Sequence, residues 1–299
     1  MTERRRDADD EAVHVTVVGP SGRVRGRVAV VHGFAEHGGR YAELAGAFAA
    51  HGLEVHVLDL RGHGRSGGVR ALVRDAAETQ RDVTELLERL RAAGGPVLGF
   101  GHSFGGALML RAAQLRPELV DAVVVSGPYL RTAVDDPPWM FGLVNVVSRV
   151  WPRLRTRPID ATAVSSLPEE VARYRDDPLV DVGGVRLASV RELHALGPRV
   201  LADAEQLVTP TLIVHGDADR LASALGSREL RDTAGGEDVT LLELPGVAHD
   251  VLHDVGAGRV LDAIATWSLE RLGLAHVPEA VSRRGEGSGT GGSAPRETT

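Results

Sequence analysis

The stretch PVLGFGHSFGGALMLRAAQL, residues 96–115, decides the fold. Its first half is an apolar run without alternation, the pattern of a strand buried on both faces of a parallel sheet. Its second half, from Phe104 to Leu115, spaces its apolar residues at the 3.6-residue period of a helix. Between the two stands Gly101-His102-Ser103-Phe104-Gly105, with Gly106 following. Strand, tight turn and helix with a serine at the turn form the setting of a nucleophile elbow. The glycines let the turn tighten and the helix lie close to the sheet, which leaves the Ser103 hydroxyl exposed. The positive N-terminal end of that helix favours an oxyanion formed beside it.

Outward from this unit the alternation continues. Strands are expected at 13–18, 25–31, 54–58, 97–101, 122–126, 211–215 and 239–244, and helices at 41–51, 75–93, 104–115, 225–233 and 255–272. Such alternation implies a mostly parallel, doubly wound α/β sheet. One segment breaks the pattern. Between Ser126 and Thr209 no core strand is evident, prolines recur, and five of the eleven aromatic residues gather: Tyr129, Trp139, Phe141, Trp151 and Tyr174. It reads as a helical cap, residues 128–207, over the C-terminal edge of the sheet, where such folds bind ligands. The core is then 11–127 and 208–281. Residues 1–10 are a charged run expected to be disordered, and 282–299, SRRGEGSGTGGSAPRETT, read as a flexible low-complexity tail.

Composition removes several classes of chemistry. A net charge of -7, with no basic stripe interleaved with stacking aromatics, argues against nucleic acid as a partner. The absence of cysteine excludes disulfides and thiolate catalysis. All 34 basic residues are arginine, which excludes Schiff-base chemistry and a Ser-Lys dyad. The N-terminal MTERRRDADDEAVHV lacks the apolar stretch of a secretory signal, and the longest apolar run, around residues 139–151, is too short to span a bilayer. A cytoplasmic protein is expected.

An alcohol nucleophile needs a base, and the base an orienting acid. On a serine elbow of this kind the chain order is Ser, then Asp or Glu, then His. Beyond Ser103 and outside the cap, two loops qualify. TLIVHGDADRL sets Asp217 and Asp219 just past a strand, and VTLLELPGVAHDVLHD sets His249 just past the next. Asp219 lies further out on its loop and is the expected acid, with Asp217 in reserve. His249 is the expected base; His253 is the alternative but falls at the start of the following helix. The oxyanion donors are expected at the backbone N–H groups of Phe104, after the nucleophile, and Phe34, in the loop after the early strand.

Six stretches together are similar to the monoacylglycerol lipase and lysophospholipase branch of the α/β-hydrolases. They are VHGFAEHGGRY (31–41), DLRGHGRSGG (59–68), GFGHSFGGAL (99–108), VARYRDDPLV (171–180), VHGDADRLA (214–222) and PGVAHDVLHD (245–254). The Glu36-His37-x-Gly-Arg40-Tyr41 element is more diagnostic than the elbow, because most other hydrolases lack it. The resemblance implies an α/β-hydrolase fold, a triad of Ser103, Asp219 and His249, oxyanion donors at Phe34 and Phe104, no cofactor, and hydrolysis of a lipid ester, a monoacylglycerol foremost, through an acyl-enzyme. The chain departs from the family's usual residues at Gly38, Ala248, Asp250 and Ser223. None is a catalytic position, but they bear on the shape of the acyl or alcohol pocket. Lysophospholipid cleavage, acyl transfer, hydrolysis of small esters and a non-catalytic ligand receptor remain as alternatives. Dehalogenase and epoxide hydrolase chemistry needs a carboxylate where Ser103 stands.

Substrate contacts are sought at Arg40, His102, Trp139, Phe141 and Trp151. Arg40 with Glu36 also suits a structural ion pair. The stretch WMFGLVNVVSRVWPRLRTR, residues 139–157, follows its apolar residues with Arg149, Arg153, Arg155 and Arg157. It fits a cap helix over an acyl tunnel and a helix at a lipid interface, and the two roles are compatible. Asp59, Arg61, His63 and Arg65 read as a structural loop. His32, His37 and His63 show no paired metal-ligand motif, so no metal is expected.

Overall fold

A computed structural model describes residues 2–5, 12–133 and 137–275. The tail at 282–299 therefore lies outside the described residues, as do most of residues 1–10. The strands are β1 (Thr2–Arg5), β2 (Val13–Val18), β3 (Gly26–Val31), β4 (Leu53–Asp59), β5 (Val97–His102), β6 (Ala122–Ser126), β7 (Thr211–Gly216) and β8 (Val239–Leu244). They form one sheet in the order β1-β2-β4-β3-β5-β6-β7-β8. From β4 through β8 all neighbours are parallel; β2 runs antiparallel to β4, and β1 antiparallel to β2. The charged run read as disordered thus contains a strand. Its pairing with β2 is a main-chain ladder, which asks nothing of side-chain hydrophobicity.

The helices α1 (Ala42–Ala50) and α8 (Ala257–Arg271) cover one face, and α2 (Ala76–Ala92), α3 (Ser103–Leu115) and α7 (Ala224–Thr233) the other. Period-two alternation sorts the strand residues between the two layers. Val28 and Val30 of β3, Leu98 and Phe100 of β5 and Val124 of β6 face α1 and α8. Ala29, Val31, Val123 and Val125 face the opposite layer. Capping fixes where two helices start: the Asp75 side chain accepts from Ala77 N at 2.8 Å, and Ser223 caps α7.

Between β6 and β7 lie α4 (Pro138–Val150), α5 (Pro168–Asp176) and α6 (Leu187–Ala202). Proline opens α4 and α5, where its missing N–H costs nothing. Helix α6 is tied to the core. Ser189 Oγ accepts from Val73 N at 2.9 Å and donates to Ala71 O at 3.0 Å, and Gln114 Nε2 donates to Val200 O at 2.8 Å. A β-carbon on Gly197 would overlap the Leu130 carbonyl, so α6 lies directly against the chain leaving β6. Helix α4 packs on α6. The connection leaving β3 runs to β4 and that leaving β5 runs to β6, in opposite directions along the sheet, so the loops after β3 and β5 flank the switch point at which open α/β sheets bind ligands.

Candidate active site

Ser103 occupies the turn between β5 and α3 with φ of +51°, a conformation that a residue bearing a β-carbon rarely adopts. Holding it there costs on the order of 1–3 kcal/mol, which the packing around the turn must supply. The glycines make that packing feasible. A β-carbon on Gly105 would overlap the carbonyl oxygens of Val31 and His32, and one on Gly101 would overlap that of Gly105. The start of α3 therefore presses against the end of β3. Tyr129 N donates to Ser103 O at 3.0 Å, anchoring the turn from the other side.

The loops after β7 and β8 bring Asp219 and His249 together: His249 Nδ1 lies 2.6 Å from Asp219 Oδ2. The other carboxylate oxygen, Oδ1, accepts from Leu221 N at 2.8 Å and Ala222 N at 2.9 Å, so the loop backbone fixes the acid's orientation. Burial opposes the Asp219 charge, but His249 and His215 more than offset it and hold the carboxyl well below its usual range. Burial likewise opposes a charged His249, and Asp219 outweighs it, raising the imidazole above the ordinary histidine value. With Nδ1 committed to Asp219, Nε2 is the ring nitrogen that does not face the acid. The two alternatives are engaged elsewhere. Asp217 is exposed and accepts from Gly246 N at 2.6 Å, and His253 pairs with Asp250 at 2.9 Å.

The loop after β3 carries Phe34. His32 Nδ1 donates to Gly33 O at 2.6 Å, while its Nε2 accepts from Leu60 N at 2.9 Å. Burial pushes the His32 pKa down, which keeps this neutral tautomer. Gly33 O and Phe34 N belong to one planar peptide unit, so the bond from His32 sets the direction of the Phe34 N–H. The preceding N–H, of Gly33, donates to Glu36 Oε1 at 2.6 Å. Ala35, at φ of +67°, turns the chain so that Glu36 can reach back.

Glu36 opens a buried polar chain. It also accepts from Tyr41 OH at 2.6 Å and Arg40 Nε at 2.8 Å, and Arg40 Nη2 donates to Asp250 Oδ2 at 2.7 Å. The Arg40 guanidinium lies 5.0 Å from the centre of the Tyr174 ring. Arg40 is thus bound on both sides by carboxylates, the structural ion pair anticipated beside its substrate role. His102 is buried; its Nδ1 lies 3.0 Å from both Ser126 O and Ser126 Oγ, and its ring centre is 4.8 Å from that of His249.

The apolar candidates divide. Phe141 turns inward, its ring 4.5 Å from that of His194 on α6. Trp139 and Trp151 instead face outward, 69% and 62% exposed, and so do not line a tunnel with it. The reason is helical: Phe141 lies on the face of α4 packed against α6, while Trp139 falls on the opposite face with Leu143, Val146 and Val150.

Three residues make contacts here that their positions in the sequence do not announce. His215 Nε2 lies 3.1 Å from Asp219 Oδ2 and is the acid's second partner, four residues away along the chain. Asp250 joins the Arg40 chain to the residue next to His249. Asp254 accepts from Ala248 N at 2.6 Å and from the Ser166 hydroxyl, clamping the His249 loop to the segment between α4 and α5. The acidic residues of HDVLHD were the available signal, but nothing in their spacing names a partner. Among the described residues no group of three or more His, Cys, Asp or Glu could hold a metal ion.

Residues 22–256 match the family model described as serine aminopeptidase, S33. A monoacylglycerol lipase of Mycolicibacterium smegmatis is 39% identical over 83% of this chain and 89% of the relative. The human monoglyceride lipase is 31% identical over 83% of this chain and 87% of its own. The crystal structure of the Paleococcus ferrophilus monoacylglycerol lipase superposes with a TM-score of 0.80 at 30% identity, covering 87% of this chain and 99% of that one. The elbow after β5 and the Asp–His pair after β7 and β8 lie where an α/β-hydrolase carries its reacting groups, and the chain belongs to the serine aminopeptidase, S33, family of α/β-hydrolases.

Proposed function

We propose that the protein hydrolyses the ester of a monoacylglycerol through an acyl-enzyme on Ser103. The observation that carries this reading is the 2.6 Å bond between His249 and Asp219, on loops adjoining the strained turn that bears Ser103. His249 Nε2 takes the Ser103 proton as Oγ attacks the ester carbonyl. Asp219 holds the tautomer and stabilises the imidazolium. The N–H groups of Phe34 and Phe104 donate hydrogen bonds to the developing oxyanion. The imidazolium returns its proton to the leaving alcohol, then His249 activates water, and deacylation frees the fatty acid. No step draws on a cofactor.

Relatives named as monoacylglycerol or monoglyceride lipases at 39% and 31% identity support the substrate, as does the apolar segment between β6 and β7. Residues 128–207 act as its cap over a core of 11–127 and 208–281, and Phe141 belongs to the acyl-binding surface. The family description raises aminopeptidase chemistry. Its substrate brings an ammonium that needs a carboxylate near the serine, and Glu36 and Asp250 are already balanced by Arg40 and His253. Lysophospholipids share the acyl ester and are the neighbouring alternative.

The outer face of α4 and the turn after it expose Trp139, Leu143, Val146, Val150, Trp151 and Leu154. Arg149 and Arg153 lie exposed along it. This surface suits peripheral contact with a lipid interface, through which a water-insoluble substrate would enter. No described helix is long and apolar enough to cross a membrane.

The test is kcat/KM across monoacylglycerols of increasing chain length, lysophospholipids, acetate esters and an aminoacyl anilide. Each methylene buried contributes about 0.8 kcal/mol. A steep rise with chain length for monoacylglycerols is expected; a flat profile, or preference for the anilide, overturns the assignment.

A further inference from the structure

His253 makes two contacts that no neutral imidazole can make at once. Its Nδ1 lies 2.9 Å from Asp250 Oδ2, and its Nε2 lies 3.0 Å from the main-chain oxygen of Arg40. An ionised carboxylate and a carbonyl only accept, and neutral histidine carries a single N–H. Both contacts therefore require both ring nitrogens to be protonated. We propose that His253 is held as an imidazolium and acts as a positioning residue, locking the oxyanion loop to the loop that carries His249.

The chain of contacts is continuous. Asp250 follows His249 directly and accepts from both His253 and Arg40; Arg40 reaches Glu36; Glu36 accepts from the Gly33 N–H that precedes the oxyanion donor. Two buried carboxylates share one guanidinium, so His253 supplies the second positive charge. Without its proton the cluster carries a net negative charge and one of the two ties is lost.

The groups facing His253 support this balance. From its own loop comes Asp250; the neighbouring Asp254 is turned toward Ala248 and Ser166. From the oxyanion loop and α1 come Arg40, Glu36 and Glu43, with the Tyr41 ring edge-on at 6.5 Å. From the segment between α4 and α5, Ser165 Oγ donates to His253 O at 2.7 Å, and Tyr174 of α5 lies on Arg40. Burial opposes the His253 charge, Asp250 outweighs it, and Arg40 opposes it more weakly, so deprotonation falls above the ordinary histidine value. The folded state holds this proton more tightly than the unfolded chain. The resulting stabilisation is complete at low pH and is lost as pH rises through the folded-state pKa.

The proposal rests on reading Phe34 N–H as an oxyanion donor, and its test separates the two. Side-chain nitrogen NMR of the full-length protein is followed from about pH 5 to about pH 10, alongside kcat and KM for a soluble p-nitrophenyl butyrate. His253 should show both ring nitrogens protonated at neutral pH. Wild-type kcat should decline on the alkaline side with the same midpoint. His253→Gln should lower kcat about tenfold with KM within about twofold, as for a small misplacement of a reacting group, and should lack the alkaline decline. A neutral His253 at neutral pH, or His253→Gln with wild-type kcat and an unchanged alkaline limb, overturns the proposal. Should that variant not fold, a mismatch between the NMR and kinetic midpoints of the wild type overturns it equally. Failure of the triad reading would show instead as ester hydrolysis surviving in Ser103→Ala.

Discussion

Asp217 and Asp219 stand two residues apart on one loop and end in different surroundings. Asp217 is exposed and holds one backbone N–H, whereas the Asp219 side chain is 1% exposed and faces two histidines. Asp219→Asn should therefore lower kcat by about 10⁴ through the wrong imidazole tautomer, and Asp217→Asn should stay near wild type. Steady-state kinetics on a soluble ester decides between them. The pH profile adds a sign. His249 as the proposed base must be neutral, so kcat/KM should rise with pH through its pKa, and Asp219 places that limb above the ordinary histidine value. In the residual activity of Asp219→Asn the limb should move to lower pH. The Asp219–His249 pairing was legible because chain order and loop position constrain both residues from sequence. The Arg40–Asp250 contact was not, since it joins residues 210 apart and is set only when the loops after β3 and β8 meet.

At the scale of elements, the elbow depends on α3 starting hard against β3. Gly105→Ala would drive a β-carbon into two carbonyl oxygens that no side-chain rotation can relieve. It should cost about 3 kcal/mol, the upper part of the range for overpacking, seen as a lowered denaturation midpoint. Helix α4 carries a second expectation. Phe141→Ala should erode the gain in kcat/KM with acyl chain length, because Phe141 packs inward on α6. Trp139→Ala should leave soluble substrates unaffected and weaken turnover only on vesicle-borne monoacylglycerol. Equal losses in both variants would show that the two faces of α4 do not divide in this way. Strand and helix positions were readable because each core element has one period and one environment. Helix α4 is apolar on both faces, so its period located it without saying which aromatic turns outward.

Across the whole molecule, parallel strands bring the loops after β3, β5, β7 and β8 to one edge, and residues far apart in sequence become one site. The alternation of strands and helices announced that sheet from sequence. The edge strand β1 was not legible, because Thr2–Arg5 pairs through backbone groups and its side chains carry no apolar pattern. Every step of the proposed reaction passes through Ser103 as the nucleophile. The most direct measurement is labelling of the full-length protein with a fluorophosphonate, followed by mass spectrometry of its peptides. One adduct per chain on Ser103 is predicted, formed orders of magnitude more slowly in His249→Ala and absent in Ser103→Ala together with monoacylglycerol hydrolysis. An adduct on another residue, or hydrolysis that persists in Ser103→Ala, would contradict it.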